Sequence, residues 1–245
     1  MNDMSLNFDP GTYLGLEKLG RLALSKSFHM REFLYSEIAA HHKLRNAPER
    51  DRLQFAVVAG KNLCEKLLEP LQDVFGRVHI RSGYRSRSVN EAGVGKHGCA
   101  ADNDGFHTWD YPSKSNGPGA VACISIPAVS AQALKSGADP YAIAWWIEDH
   151  LADWSCLEFF STPPFADELS FNIGWHERPM KFMTTWRGGG RDLRQTMPHS
   201  DKRRLLWEDL LASCAASVKT ATEATKFKID LAAKRGEQDA GAHSV

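Results

Sequence analysis

Between Pro48 and Gly76 the sequence reads PERDRLQFAVVAGKNLCEKLLEPLQDVFG, and no other stretch limits the fold as much. Apolar residues fall at 53, 56, 57, 63, 64, 67, 68, 71, 74 and 75, the three-and-four spacing that lines one face of a helix. Pro48 suits a first helical turn, where its missing N–H is no loss, and Gly76 suits the left-handed position just past the end. The spacing predicts a helix of about six turns, with the small Gly60 on its apolar side and a kink at Pro70. Such a helix must lay its stripe on a second layer, and the rest of the chain offers strands for it.

RVHIRSGYRS alternates and then runs into Gly and Ser, a short strand that ends on the site side of a sheet. Residues 91–119 are mostly Gly, Asn, Asp, Ser and Pro, far more than the usual connection of about four to six residues. AVACISIP is an apolar run bounded by Gly-Pro-Gly and Pro, the pattern of a central strand. PYAIAWWIEDHLA reads as a helix with Asp139 as N-cap and Pro140 in its first turn. SCLEFF and ELSFNIGW, separated by the turn-rich STPPFAD, make a hairpin-like pair. Near residue 190 the composition shifts. SDKRRLLWEDLLASCAASV is one amphipathic helix, with the basic run at 202–204 as a solvated face, and the remainder thins into small and charged residues. The expected organisation is a domain over 1–190 and, over 191–245, an amphipathic helix with a flexible charged tail. The fold class is α+β: a small antiparallel or mixed sheet with packed helices.

Charge narrows the partners. Lys plus Arg number 30 and Asp plus Glu number 30, so no global field draws the chain to nucleic acid or to an anionic membrane. The start, MNDMSLNFDPGTYLGL, lacks a basic region followed by an apolar one, and no apolar run approaches the roughly eighteen residues of a membrane span. A cytoplasmic location is expected, with release by lysis if the chain is phage-derived. Five cysteines, at 64, 99, 123, 156 and 214, form an odd set without CxxC spacing and read as reduced thiols.

Several phrases together carry a resemblance: REFLYSEIA and LRNAP near the start, LLEPLQDVFG, HIRSGYRSRSVNEAGVG, and GAVACISIPAVS. Over roughly residues 28–175 the chain resembles the zinc D-Ala-D-Ala carboxypeptidases, a family that includes phage endolysins and shares its fold with the hedgehog signalling domain. The resemblance implies a hedgehog-like fold and zinc-dependent hydrolysis of peptidoglycan peptide bonds at D-amino acids. It also implies a zinc site of the form S-x-H-x-x-G-x-A-x-D, with a second His on the last strand in W-x-H-x-S and an acidic general base shortly before it. Three side chains then hold the metal and leave one position for the attacking water.

Two registers compete for that pattern. In the first, KHGCAAD places His97 before a G-x-A-x-D that ends at Asp102, two residues short, while Asp104 keeps the separation and loses the Gly and Ala. In the second, which is preferred, GAVACISIP carries the motif, with Val121 for Ala, Cys123 where Asp should be and Asn116 at the place of the first His. His107 can replace Asn116 only if the loop between them folds back. On the last strand Asn172 stands where the second His should be, and His176 lies four residues on, about 13 Å away along a strand. Glu168 and Glu158 are the candidate bases.

The resemblance thus implies Arg85, Glu158 and Glu168 as catalytic groups. Ser82, Tyr84, Arg85, Asn116 and Asn172 would contact substrate, with Ser82 and Tyr84 also shaping the turn. A metal, zinc, would be rebuilt from His107, Cys123 and a third group such as His176 or Asp110, the latter placed in HTWD to orient the His107 ring. His97, Cys99, Asp102 and Asp104 read as a solvated acidic loop or as a separate cluster, and Cys123 with His107 is also a pairing that nucleophilic enzymes use. Two functions remain open: a metallopeptidase with altered ligands, or a pseudo-peptidase that binds a peptide, a peptidoglycan fragment or a protein partner.

Overall fold

Three short helices, α1 (Tyr13–Gly20), α2 (Arg31–Leu34) and α3 (Glu37–His42), precede the long one. The computed structural model describes residues 6–136, 141–160, 169–185, 191–193 and 201–214. The long helix forms in four pieces. A 3-10 turn at Arg50–Arg52 leads into α4 (Leu53–Leu63), Cys64–Leu68 widen into a π-helix, and α5 (Glu69–Phe75) stops at Gly76, whose φ of 85° is left-handed. At the junction the Glu69 N–H reaches back five residues to the Cys64 carbonyl. Pro70 has no N–H to give and its ring would press on the carbonyl four residues back, so the wider turn just before it takes up a mismatch that was expected to kink the helix. Gly60 is required by packing: a Cβ there would lie 2.9 Å from the Trp109 ring.

The first four strands follow the predicted order, and two more that the sequence did not signal follow them. In chain order they are β1 (His79–Ser82), β2 (Gly119–Ser125), β3 (Trp154–Phe159), β4 (Phe171–His176), β5 (Phe182–Thr185) and the two-residue β6 (Arg191–Asp192). Helix α6 (Arg87–Gly93) follows β1, and α7 (Pro127–Ser136) and α8 (Ala142–His150) lie between β2 and β3. The sheet runs β1-β2-β4-β3-β5-β6, antiparallel except for the parallel pair β3–β5. The fold is therefore α+β with a mixed, open sheet, and AVACISIP supplies an interior strand as its composition predicts. The N-cap expected at Asp139, the STPPFAD turn and the 219–245 tail lie outside the described residues.

Alternation divides the sheet into two unlike faces. Ala120, Ala122, Ile124, Leu157 and Ile173 share one hydrophobic cluster with α4, α5 and α8, in which the Phe75 and Trp146 rings meet edge to face at 5.0 Å. Val121, Cys123 and Cys156 alternate with these residues, stay out of that cluster and share the other face with Gly174. No cysteine is in a disulfide, and burial pushes the Cys64 and Cys156 thiols well up, out of reach of thiolate chemistry at neutral pH.

Past residue 190, β6 joins the sheet beside β5, and the chain is helical over 201–214. The basic run there is not wholly solvated. Arg203 is only 2% exposed, paired with Glu148 and with Asp149 at 2.9 Å, and stacked over Trp145 at 4.7 Å. Trp207 Nε1 also donates to Asp149, at 3.1 Å. A buried guanidinium needs this many partners to offset its desolvation, and the pairing docks the segment on α8.

Candidate functional site

The second face of the sheet carries a line of polar side chains in register. Ser82 pairs with Cys123, Cys123 with Asn172, Asn172 with Glu158, and Glu158 with Thr184. Strands lie about 4.8 Å apart, so the row crosses five strands over roughly 19 Å, the length of five or six extended residues. Asn172 Nδ2 donates to Glu158 Oε2 at 2.9 Å. Among the described residues its Oδ1 and the Thr184 hydroxyl are buried with no hydrogen-bond partner, and such groups gain from a ligand that supplies one.

At the β1 end of the row the chain turns through SGYR, and the long loop folds back against it. Val121 N–H donates to the Phe106 carbonyl at 2.9 Å, so the loop takes over the edge of β2 where β1 departs. Trp109 Nε1 donates to the Val121 carbonyl at 3.1 Å and anchors the segment next to Gly60. The fold-back that would let His107 take the place of Asn116 therefore exists. His107 Nδ1 is 2.7 Å from the Gly83 carbonyl, and the Arg85 N–H donates to the His107 carbonyl at 2.8 Å. Because Nδ1 must donate to a carbonyl, Nε2 is the lone-pair nitrogen of the neutral ring.

Two asparagines that the sequence reading did not single out hold this turn. Asn46, inside LRNAP, donates to the Leu34 and Tyr84 carbonyls at 2.9 and 2.8 Å and accepts from the Ser86 N–H at 2.8 Å. Asn90, inside VNEAGVG, donates to the Ala100 carbonyl at 3.0 Å and accepts from Asn103 at 2.6 Å. Their presence in phrases already marked was the signal for them. Their partners, 10 to 40 residues away, were not legible.

Arg85 lies electrostatically close to Cys99, Cys123 and His107. Burial lowers its proton affinity while the two thiols oppose that shift. Among the described residues its side chain makes one hydrogen bond, from Nη1 to Cys99 Sγ at 3.1 Å. A thiol is a poor acceptor for a fork built to grip a carboxylate. Burial, with Arg85 adding to it, pushes the His107 pKa down to about 3, so the ring is neutral at physiological pH.

Other expected groups lie elsewhere. Tyr84 is fully buried and donates to Asp110 at 3.1 Å, so it braces the loop instead of facing substrate. Asp110 is therefore not the partner of the His107 ring. Burial pushes its pKa up to about 6. Asn116 is tied to Arg178, whose carbonyl it meets at 3.1 Å, beyond the opposite end of β2 from Cys123. Glu168 lies outside the described residues. The acidic loop disperses: Asp104 pairs with Arg87 at 2.6 Å, Asp102 accepts the Asp104 N–H, and Cys99 turns to Arg85.

A zinc tripod needs three imidazole, thiolate or carboxylate donors around one point. The row offers Cys123, but opposite it stands the neutral amide of Asn172, a weak ligand whose nitrogen is already given to Glu158. His176 pairs with Gly119 at the far end of the same ladder, about 13 Å along the strand. There it is 1% exposed and edge-on to Phe106 at 4.8 Å, and among the described residues neither ring nitrogen meets a partner in good hydrogen-bond geometry. The Gly105 carbonyl nearby favours the protonated ring, but burial outweighs it and pushes the pKa down to about 4. Among the described residues no group of three or more His, Cys, Asp or Glu side chains is placed to hold a metal ion. The donor set expected from His107, Cys123 and His176 does not converge, and the row does not fit zinc.

Among the described residues no helix is long and apolar enough to cross a membrane. In comparisons with known proteins, no family model, no curated protein and no solved structure matches this chain.

Proposed function

We propose that this protein is a pseudo-peptidase of the D-Ala-D-Ala carboxypeptidase lineage, which binds a short peptide or peptidoglycan fragment with a free carboxylate and does not cleave it. The observation that carries this reading is Arg85, a half-buried guanidinium whose side chain has a thiol as its hydrogen-bond partner, at the end of a polar row. A carboxylate offers that fork two charge-assisted bonds in place of one weak contact. The buried Asn172 Oδ1 then accepts a ligand amide N–H, and the Thr184 hydroxyl takes a ligand carbonyl or amide further along. The row's length fits a short extended chain. Glu158 keeps the Asn172 amide in orientation, so it acts as a positioning group.

Titration calorimetry with a synthetic peptide ending in D-Ala-D-Ala, and with its C-terminal amide, tests the reading. Binding of the acid, weakened about tenfold or more by amidation and by Arg85→Ala, is the expected result. Mass spectrometry of the same mixtures should show the peptide intact. Release of alanine in the presence of added zinc, abolished by His107→Ala, would replace the binding reading with the metallopeptidase one.

A further inference from the structure

The polar row holds one charge of each sign, and among the described residues neither is paired with its opposite. Arg85 lies at the Ser82–Cys123 end, where its side chain donates to the Cys99 thiol at 3.1 Å and Glu37 adds only a weak electrostatic pull. Glu158 lies across β2 and β4 from Ser82. Its Oε2 accepts from the Asn172 amide at 2.9 Å, and among the described residues no Lys, Arg or His pairs with its carboxylate. Both charged residues are half-buried, so water serves them in the free chain and leaves them open to a ligand. Two to three strand spacings, about 10–14 Å, separate them. Between them Cys123 and Asn172 make a floor of short side chains.

We infer that the ligand of the row is a free peptide of three or four residues, held as a zwitterion with its C-terminal carboxylate on Arg85 and its N-terminal ammonium on Glu158. This rests on the carboxylate-binding reading above and adds the other end of the ligand. An extended chain covers about 3.3–3.6 Å per residue, so three or four residues fill the gap. Two fall short, and a longer chain carries its ammonium past Glu158. The α-amino group, with an ordinary pKa of about 7.7–8.0, is protonated below pH 7.

The two ends also fix the direction of the peptide. A guanidinium and an ammonium only donate, and a carboxylate only accepts. A reversed chain would set carboxylate against carboxylate and ammonium against guanidinium, like-charge contacts that exclude it. Glu158 holds the Asn172 amide through one oxygen and has the other for the ligand, so one side chain orients the middle of the row and recognises the ligand's end. A peptide whose amino end is joined to a larger polymer lacks the ammonium. The row therefore selects released fragments over attached ones.

Titration calorimetry of the full chain at pH 6.5 compares Ala-Ala-D-Ala-D-Ala with its N-acetyl form, its C-terminal amide and the dipeptide D-Ala-D-Ala. Acetylation weakens binding about tenfold or more, as loss of a charge-assisted bond does, and the dipeptide binds less tightly than the tetrapeptide. Glu158→Gln, which keeps an oxygen for the Asn172 amide, weakens the free tetrapeptide by a similar factor and leaves the acetylated one unchanged. Urea unfolding checks the fold of that variant, and the acetylation comparison, made on the parent chain, does not depend on it. A tetrapeptide that binds equally well when acetylated, or that binds Glu158→Gln as it binds the parent, overturns the ammonium site, and weakening by amidation then leaves the carboxylate grip standing. Equal binding of the amide removes the carboxylate grip itself, and no binding of the free tetrapeptide overturns both.

Discussion

The two ends of the β2–β4 ladder share strands, face and register, and both are buried, yet their side chains have unlike neighbours. At one end Cys123 and Asn172 belong to a polar row, next to a half-buried arginine and a half-buried carboxylate. At the other, Gly119 and His176 are sealed under Phe106 and the Gly105 carbonyl, and among the described residues the imidazole finds no well-aligned hydrogen-bond partner. The residue type best suited to bind a metal or move a proton sits at the dry end. The amide sits at the polar one, itself buried at 7% exposure. Chemistry on a sheet thus depends on which rung of the ladder a side chain occupies as much as on its type, and moving four residues along the strand exchanges function for packing.

Substitutions at the two rungs test that contrast. The largest effect is expected for Gly119→Ala. Its Cβ would fall on the Gly105 carbonyl oxygen and the His176 ring, so a loss of about 3 kcal/mol is expected in urea unfolding. An unfolding curve like the parent's would show that the end is not tightly packed. Acid comes next. His176 and His107 have folded pKa values of about 4 and about 3, below the ordinary 6.5, so below 6.5 the unfolded chain binds the extra protons. The stability each neutral ring contributes is complete above 6.5 and is lost as the pH falls toward its folded value, about 2 kcal/mol per histidine by pH 5. Asp110, pushed up to about 6 from 3.8, has the opposite sign and offsets part of that loss below pH 6. In His176→Leu the decline in unfolding free energy between pH 7 and pH 5 should therefore be shallower than in the parent, and an equal decline would remove His176 as a contributor.

Changes at the polar rung should be milder. Asn172→Leu removes the hydrogen bond to Glu158 and is expected to lower stability by about 1.5 kcal/mol, while weakening the D-Ala-D-Ala peptide at least as much as it weakens the fold. A variant that binds the peptide as the parent does would take Asn172 out of the row's function. Cys123→Ala is the smallest, about 1 kcal/mol for one buried sulfur with the neighbours left in place.

Much of this was written in local patterns. The apolar stripe from 53 to 75, Gly76, the apolar run of β2 and the antiparallel pair β3–β4 became the elements expected, because each depends on neighbours a few residues away, while Pro48 stands two residues before the turn that opens at Arg50 and not in it. Alternation also placed His176 about 13 Å from Asn172, and the ladder keeps that separation. Long-range contacts were different. That the loop would turn back to lay His107 under the SGYR turn depends on Trp109 finding Gly60, 49 positions away, and on Asn46 reaching across 38 residues to Tyr84. His42 and His97, whose Nε2 atoms lie 3.3 Å apart, meet across 55 residues with no periodic signal at either end. Composition in 95–104 left a solvated acidic loop or a separate cluster open, and the partners are particular: Asp104 and Cys99 are engaged by Arg87 and Arg85, and Asp102 by the Asp104 N–H within the loop.

The π-helical stretch at Cys64–Leu68 has a consequence for how the length of this chain can change. A π turn holds one residue more than an α-helix needs between two points on the same face. Shortening that stretch by one residue returns a regular helix with α4 and α5 both still on the core. Losing one residue elsewhere in the helix swings Leu71 and Phe75, both wholly buried, by about 100°. Five residues thus act as a slack joint in the longest element of the fold, an interval where loss of a single codon can pass without re-phasing everything beyond it.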